Sequence, residues 1–255
     1  MAVRGCGARD LEVKKGTLGM QVEAIKLASV RRLASARLAE LLTARFHRHE
    51  QELLYQGMFS SACSTLGVDQ TFFPIKGAAN YSLLYLALRI CLETNVKRIL
   101  ELGAGQTSLL FNQLRKRREF EVVTLEDNVE WAARIGSMVS HEVIHSPLIH
   151  QEVRGVNTLG YDLSKVKGNF DFIIVDGPMG RPDHSRWGAL SLIAQNLDPD
   201  YIVLFDDAER RGEQQSIREA MKILSGPNRP HFSLTNGLKS QAVFSSDSYS
   251  YVRFF

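Results

Sequence analysis

Short apolar segments alternate with longer amphipathic segments along most of the chain. In the longer segments apolar residues recur every three or four positions, as in helices, whereas the short segments are almost entirely apolar, as in strands buried on both faces. This alternation predicts a parallel sheet with helices packed against it. The predicted strands are residues 98–102, 121–125, 142–149, 170–175 and 201–205. The predicted helices are residues 80–93, 108–117, 129–139, 186–195 and 213–225.

The C-terminal part of the chain has a different pattern. Residues 231–235, 241–245 and 249–255 are short β-prone runs separated by Asn-Gly and Ser-Asp turns. Such runs predict antiparallel strands that close one edge of the sheet. The predicted fold class is therefore α/β: a Rossmann-like doubly wound sheet, mostly parallel, with an antiparallel C-terminal edge.

A helical extension is predicted at the N-terminus. Residues 20–54 are strong helix formers, and apolar residues from Leu27 to Leu41 recur on one face. We therefore divide the chain into an extension, residues 1–70, and a main domain, residues 71–255. Either the main domain or a second copy of the chain must cover the apolar face, so a homo-oligomer formed through this helix is one of two expectations.

Charge and cysteine content limit the classes of function. The net charge is +3, and residues 1–50 hold ten Lys and Arg against five Asp and Glu. A solvated helix face accounts for this excess, so no nucleic-acid binding is predicted. The three scattered cysteines suit neither a disulfide framework nor a zinc site. With no signal-peptide pattern and no membrane span in the sequence, we expect a cytoplasmic protein.

The strongest chemical signal is the sequence ELGAGQTS at residues 101–108, which ends a predicted strand and opens a helix. Glycine at such a junction allows a tight turn and lets a ligand approach the backbone. The helix N-terminus then offers N–H donors to the ligand. The candidate binding residues here are Glu101, Gly103, Ala104, Gly105, Gln106, Thr107 and Ser108.

Acidic residues end the next predicted strand. Glu126 and Asp127, followed by Asn128, stand where a carboxylate can accept hydrogen bonds from ribose hydroxyls. Strand, glycine turn, helix, strand and acid together predict a site for a nucleoside-containing cofactor. Ser108 replaces the third glycine of the dinucleotide pattern, and too little chain follows for a separate dehydrogenase substrate domain. Both departures make a dinucleotide cofactor less favoured.

These motifs resemble those of class I S-adenosylmethionine-dependent methyltransferases, over residues 71–255. The resemblance implies that S-adenosylmethionine is the cofactor and that residues 103–105 pass under its methionine part. It also implies that Glu101 lies near the amino group, Glu126 holds the ribose and Ser146 lies at the adenine. Lys76 and Ser82 belong to a segment that resembles the one covering the methionine carboxylate in several small-molecule methyltransferases.

Carboxylates also follow two later strands: Asp176 after one, and Asp206 with Asp207 after the next. Because these strand ends face one crevice, the three acids are expected to meet there. Clustered oxygen ligands suit Mg²⁺, and the arrangement resembles that of metal-dependent O-methyltransferases acting on catechols and sugars. Alternatively, the acids contact cofactor or cap helices, and Asp207 or His184 acts directly as a general base.

A polar, turn-rich segment, residues 177–186, is predicted to contact the acceptor substrate. Its pattern, together with the acids and Arg210, resembles that of polysaccharide O-methyltransferases acting on glucuronic acid. Arg181, Arg186 and Arg210 are candidates to clamp a carboxylate or phosphate. Trp131 and Trp187, which begin helices beside the crevice, are expected to pack in the core.

The predicted function is O-methylation of a hydroxyl on a small polar or carbohydrate acceptor. Two alternatives remain at this point: a nicotinamide-dependent oxidoreductase that uses the same glycine turn, and a non-catalytic module that binds a nucleoside or a partner. The three strand-end acids argue against the second alternative, since a scaffold has no need to gather carboxylates in one crevice.

Overall fold

A computed structural model describes residues 47–69, 71–74, 77–226 and 229–255, and those from Arg48 onward form one compact unit. Its centre is a seven-stranded sheet, and a separate hairpin lies beside it. The strands are β1 (Arg98–Leu102), β2 (Glu121–Glu126), β3 (Glu142–His145), β4 (Leu148–Val153), β5 (Val156–Tyr161), β6 (Phe170–Val175), β7 (Leu197–Phe205), β8 (His231–Asn236) and β9 (Ser240–Ser245). The helices are α1 (residues 47–66), α2 (Tyr81–Glu93), α3 (Gln106–Leu114), α4 (Val129–Gly136), α5 (Ala189–Gln195) and α6 (Arg211–Leu224).

The strand order in the main sheet is β3-β2-β1-β6-β7-β9-β8. The first five strands of this order are parallel to one another, and β9 pairs antiparallel with both β7 and β8. The predicted doubly wound sheet with an antiparallel C-terminal edge is therefore confirmed. The order reverses between β1 and β6, which places a ligand crevice at the carboxyl ends of these two strands.

Two hydrophobic clusters cover the two faces of the sheet. Ile99 and Phe172 face α2 and α3, whereas their neighbours Leu100 and Ile173 belong to the cluster that includes α5 and α6. Successive strand residues point to opposite faces, so a strand buried on both sides must be apolar throughout. This is the physical basis of the apolar runs in the sequence.

The predicted strand at residues 142–149 is in fact two strands of different sheets. β3 ends at His145, and β4 starts at Leu148 and pairs with β5 in an antiparallel hairpin. Pro147 separates them and has no N–H to contribute to a ladder. The hairpin packs closely on the main unit, because a Cβ at Gly188 would lie 2.9 Å from the Gly160 Cα.

The predicted C-terminal strand at residues 249–255 is wrong, because Asp247–Phe254 is 3₁₀-helical. Tyr249 and Val252 are buried and belong to the cluster on the α2 side of the sheet. The segment is kinked at Tyr249, whose φ of −114° and ψ of 24° are not helical. The β-branched and aromatic composition indicated a strand, but the chain forms short 3₁₀ turns here that bury these two side chains in the cluster.

Most of the predicted N-terminal extension lies outside the described residues. Within the described part, Phe59 and Cys63 of α1 belong to the hydrophobic cluster that contains α2. The division of the chain at residue 70, and the covering of the extension by a second copy, stay predictions. Among the described helices, none has the length and apolar character needed to cross a membrane.

Candidate active site

A cleft of about 540 Å³ lies at the carboxyl ends of β1, β2 and β6. It occupies the point where the strand order reverses, as expected for this class of sheet. Its walls combine bare backbone, carboxylates and aromatic side chains. They include Gly103, Ala104, Glu126, Asp127, Asn128, Trp131, Tyr161, Asp176, Gly177, Asp207 and Arg210.

The floor of the cleft is the glycine turn after β1. Gly103 has a φ of +95°, and a Cβ there would lie 2.9 Å from the Gly177 nitrogen. A side chain at this position would therefore be strained and would also collide with the neighbouring strand end. The Gly103 N–H donates to the Leu125 carbonyl at 2.9 Å, which fixes the turn to β2. The backbone is consequently exposed to a ligand without obstruction.

Glu126 ties the end of β2 to this turn. Its carboxylate accepts hydrogen bonds from the Ala104 N–H at 3.0 Å and the Asn128 N–H at 2.9 Å, and it lines the cleft. Burial raises its pKa, while these two N–H groups act in the opposite direction. Each carboxylate oxygen accepts one N–H and has a second lone pair, so the group can still accept hydrogen bonds from a ligand.

Glu101 lies behind the turn and does not line the cleft. It is fully buried and accepts hydrogen bonds from the Thr107, Ser108 and Thr124 hydroxyls. Burial raises its pKa to about 7. Ser108 also accepts a hydrogen bond from the Gly105 N–H at 2.9 Å. These residues hold the turn in shape, and the expected contact between Glu101 and the cofactor amino group is not supported by this placement.

Asp127 and Asn128 line the cleft, and several other predicted cofactor residues do not. The Ser82 hydroxyl donates to Gln241 at 2.8 Å, and the Ser146 hydroxyl donates to the Asp162 carbonyl at 2.9 Å. Both serines are buried. The Gln106 side chain accepts from the Phe73 N–H at 2.9 Å. Lys76 lies outside the described residues.

The two tryptophans have different environments. Trp187 is buried, as expected, and donates from Nε1 to the Val153 carbonyl of the hairpin. Trp131 is 39% exposed, so the expectation of core packing is wrong for it. It forms a wall of the cleft, and its Nε1 donates to the Ala104 carbonyl at 2.8 Å. Its location at the start of a helix after the acidic strand end was the available sequence signal.

The three predicted carboxylates meet as expected. Asp176, Asp206 and Asp207 each offer an oxygen within 4.8 Å of the others. Asp176 and Asp207 line the cleft, whereas Asp206 is fully buried and is not among its lining residues. The two Asp206 oxygens are occupied by Gln241 at 2.9 Å and by the Lys239 ammonium at 3.0 Å.

Arg186 connects the segment after β6 to both cleft carboxylates. It is buried and donates to Asp207 at 2.8 Å, to Asp176 at 3.4 Å and to three backbone carbonyls. Because its N–H groups are engaged within the protein, the prediction that Arg186 clamps an acceptor anion is wrong. Its φ of +53° also explains why α5 begins later than predicted, at Ala189. Arg210 does line the cleft and lies 2.9 Å from Asp207.

Lys239 is a second cation at these carboxylates, largely buried, that the sequence analysis did not identify. It lies 3.0 Å from Asp206 and 3.4 Å from Asp207, on the connection between β8 and β9. The carboxylate donors suit Mg²⁺ by type and spacing. With Lys239 and Arg186 already between them, however, the carboxylates do not fit a divalent cation as arranged, because one would lie beside two positive charges.

The cleft carboxylates differ in their surroundings. Burial raises the pKa of Asp176 well above its ordinary range, and the neighbouring Asp206 adds to the increase. For Asp206 burial acts in the same direction, but Lys239 and Gln241 outweigh it and lower the pKa. Asp207 Oδ1 accepts no hydrogen bond from any described residue, although Arg210 and Lys239 lie at ion-pair distance. This oxygen is buried between the two cations.

His184, a predicted general base, lies away from these groups. Its ring packs edge-on against Trp187 with centroids 4.7 Å apart, and its backbone N–H donates to Gln215. It is not among the residues that line the cleft. The structure therefore does not bring His184 to Asp176 and Asp207.

No family model matches the chain, and no curated protein sequence matches it. Among solved structures, it is similar to an S-adenosylhomocysteine-bound methyltransferase from Podospora anserina, with 14% identity, coverage of 97% of this chain and 100% of that one, and a TM-score of 0.46. It is also similar to an O-methyltransferase from Bacillus cereus, with 15% identity, coverage of 78% and 92%, and a TM-score of 0.42. A third is the O-methyltransferase TomG from Streptomyces achromogenes, with 15% identity, coverage of 75% and 89%, and a TM-score of 0.43.

Proposed function

We propose that the protein is an S-adenosylmethionine-dependent methyltransferase that acts on a hydroxyl of a small polar or sugar-containing acceptor. One observation carries this proposal. The bare backbone turn at Gly103, the carboxylate of Glu126 and the carboxylates of Asp176 and Asp207 line the same cleft. A nucleoside cofactor on the turn would therefore lie beside groups able to bind and deprotonate a hydroxyl.

The chain's own residues divide into two sets on this proposal. The turn and Glu126 would bind the cofactor: the turn offers backbone without side chains against which the cofactor can lie, and Glu126 offers a carboxylate for ribose hydroxyls. The cofactor supplies an electrophilic methyl group when bound. The remaining task of the protein is to orient the acceptor hydroxyl towards that methyl group and to remove its proton.

Asp176 is the better candidate for the base. A general base works best when its pKa is near the working pH, and burial beside Asp206 raises the pKa of Asp176. Asp207 has Arg186 and Arg210 at 2.8 and 2.9 Å, so on this proposal it helps to orient the acceptor and does not take its proton. The proton then passes from the acceptor oxygen to Asp176.

The predicted magnesium site is the rival account of the same carboxylates. There, Asp176, Asp206 and Asp207 would hold the ion, which would stabilise the acceptor oxyanion. Lys239 and Arg186 supply positive charge at the same place, which favours the direct base. The metal requirement, the acceptor class, the cytoplasmic location and the lack of nucleic-acid binding all stay predictions.

The test combines binding and transfer. Isothermal titration is expected to detect S-adenosylmethionine and not NADH, and label from methyl-labelled cofactor should appear in a fraction of cell extract. Glu126→Gln should weaken cofactor binding at least tenfold, because a charged acceptor for the ribose is lost. Glu130→Gln, on the exposed first turn of α4, is the matched control. Binding of NADH but not of S-adenosylmethionine would instead support an oxidoreductase.

A further inference from the structure

Tyr161 reaches the cleft from the hairpin, outside the main sheet. It is the last residue of β5, its side chain is 4% exposed, and it lines the cleft. Its ring belongs to the hydrophobic cluster on that face of the sheet. The hydroxyl lies against the backbone of Gly177. A Cβ added at Gly177 would collide with this hydroxyl. The polar end of a buried side chain is thus brought to the wall of the binding cleft.

This hydroxyl has no hydrogen-bond partner among the residues that the structure describes. Buried hydroxyls are nearly always paired, because an unpaired one has lost its hydrogen bonds to water. Burial and the nearby carboxylates of Glu126, Asp127 and Asp176 raise the pKa of Tyr161 well above its ordinary value. The group therefore keeps its proton and remains a donor.

The partner has to come from the cleft. Gly103 and Gly177 pass beside the hydroxyl without side chains, and the Gly103 N–H is already bonded to the Leu125 carbonyl. Among the charged groups that act on the hydroxyl, Glu126 and Asp127 act most strongly. These two acids end β2, the strand whose terminal acid is proposed to bind ribose.

We propose that the Tyr161 hydroxyl donates a hydrogen bond to the nucleoside part of the bound cofactor, beside Glu126. This assignment rests on the proposed function, and it adds a cofactor-binding residue that comes from the hairpin. Glu126 accepts hydrogen bonds and Tyr161 donates one, so the two together match a sugar or a base that carries both donors and acceptors.

The test is Tyr161→Phe, which removes only the hydroxyl. S-adenosylhomocysteine and adenosine are titrated by calorimetry against the wild type and the variant. Both ligands should bind about tenfold more weakly to the variant, because they share the nucleoside. Tyr201→Phe is the matched control: Tyr201 packs against the same hydrophobic cluster but lines a different cavity, so its loss should leave both affinities unchanged.

Thermal unfolding of the ligand-free proteins separates a binding role from a structural one. An unpaired hydroxyl contributes nothing to the folded state, so Tyr161→Phe should melt at the wild-type temperature or higher. Unchanged affinity for both ligands, or a marked loss of stability without ligand, would overturn the assignment. So would a loss confined to S-adenosylhomocysteine, which would place the hydroxyl at the amino-acid part. If the wild type itself binds neither ligand, the proposed function fails together with this assignment.

Discussion

The guanidinium of Arg186 donates to the carboxylate of Asp207 at 2.8 Å, and both side chains are buried. Both residues also have left-handed backbone conformations, with φ of +53° and +57°. Non-glycine residues rarely adopt this conformation, which costs about 1–2 kcal/mol for each. The ion pair joins the end of β7 to the segment that follows β6.

Arg186→Met should therefore destabilise the fold strongly. Removing one partner of a buried ion pair leaves uncompensated charge, here on Asp176 and Asp207, and typically costs about 3–5 kcal/mol. Urea unfolding followed by circular dichroism measures the change. Arg211→Met removes an exposed ion pair with Asp183 and should cost less than about 1 kcal/mol. Equal effects of the two variants would show that the buried network has no special role.

The rate of methyl transfer should depend on the ionisation of Asp176. A base must be deprotonated to act, and the pKa of this carboxyl is raised, so kcat/KM should be low in acid, increase with pH and then level off. Asp176→Asn should lower kcat/KM by about 10²–10⁴-fold and remove this increase. Initial rates across the pH range provide the measurement. Asp200→Asn, at an exposed position of β7 that does not line the cleft, should keep both the rate and the profile. An unchanged profile in Asp176→Asn would assign the base elsewhere.

Chelation distinguishes the two accounts of the carboxylate cluster. Because Lys239 and Arg186 already neutralise these acids, EDTA followed by dialysis should leave the transfer rate unchanged. Assays of the chelated enzyme with and without added Mg²⁺ are the measurement. A loss of activity with EDTA that Mg²⁺ restores would support the predicted metal site instead.

Glu101 should make stability dependent on pH. Its pKa is about 7 in the folded protein against an ordinary 4.5. Its contribution to the free energy of unfolding is therefore complete below pH 4.5 and is lost as the pH rises through 7. The shift corresponds to about 3 kcal/mol. His141 acts in the opposite sense, because burial lowers its pKa to about 4 and its contribution is lost as the pH falls from 6.5. The informative quantity is therefore the difference in the free energy of unfolding between Glu101→Gln and the wild type.

As the pH increases from 5 to 7, the variant should gain stability relative to the wild type, because Glu101 ionises in the wild type and glutamine does not ionise. Urea midpoints at several pH values measure this difference. Glu142→Gln, at an exposed position at the start of β3, should keep a constant difference from wild type. A constant difference for Glu101→Gln would show that Glu101 titrates like an exposed carboxyl.

The parts of the site that are local in sequence could be predicted, and the parts that depend on distant contacts could not. The bounds of β1 and β6 and the turn at Gly103 were predicted correctly, because apolar runs and glycine positions report burial and turns directly. The meeting of Asp176 with Asp207 followed from sheet topology. Whether a side chain points into the cleft or behind it depends on packing, which is why Glu101 was assigned a binding role.

Lys239 is a residue whose place in the site depends on contacts distant in sequence. It lies 33 residues from Asp206 and reaches it only because β9 lies next to β7. No local pattern marks a lysine in a hairpin turn as a buried counter-ion. Tyr161 was missed for a similar reason, since residues 156–161 were not recognised as a strand and the connection between β3 and β6 was not expected to contain a hairpin.

The contact between Gly160 and Gly188 joins this hairpin to the residue that precedes α5. Two backbones in direct contact leave no room for a side chain between them, so a larger residue at either position would force them apart. Met179 and Gly180, which precede this contact along the chain, line the same cleft as Tyr161. A substitution of either glycine of the contact should therefore alter the width of the cleft without changing any residue of its lining.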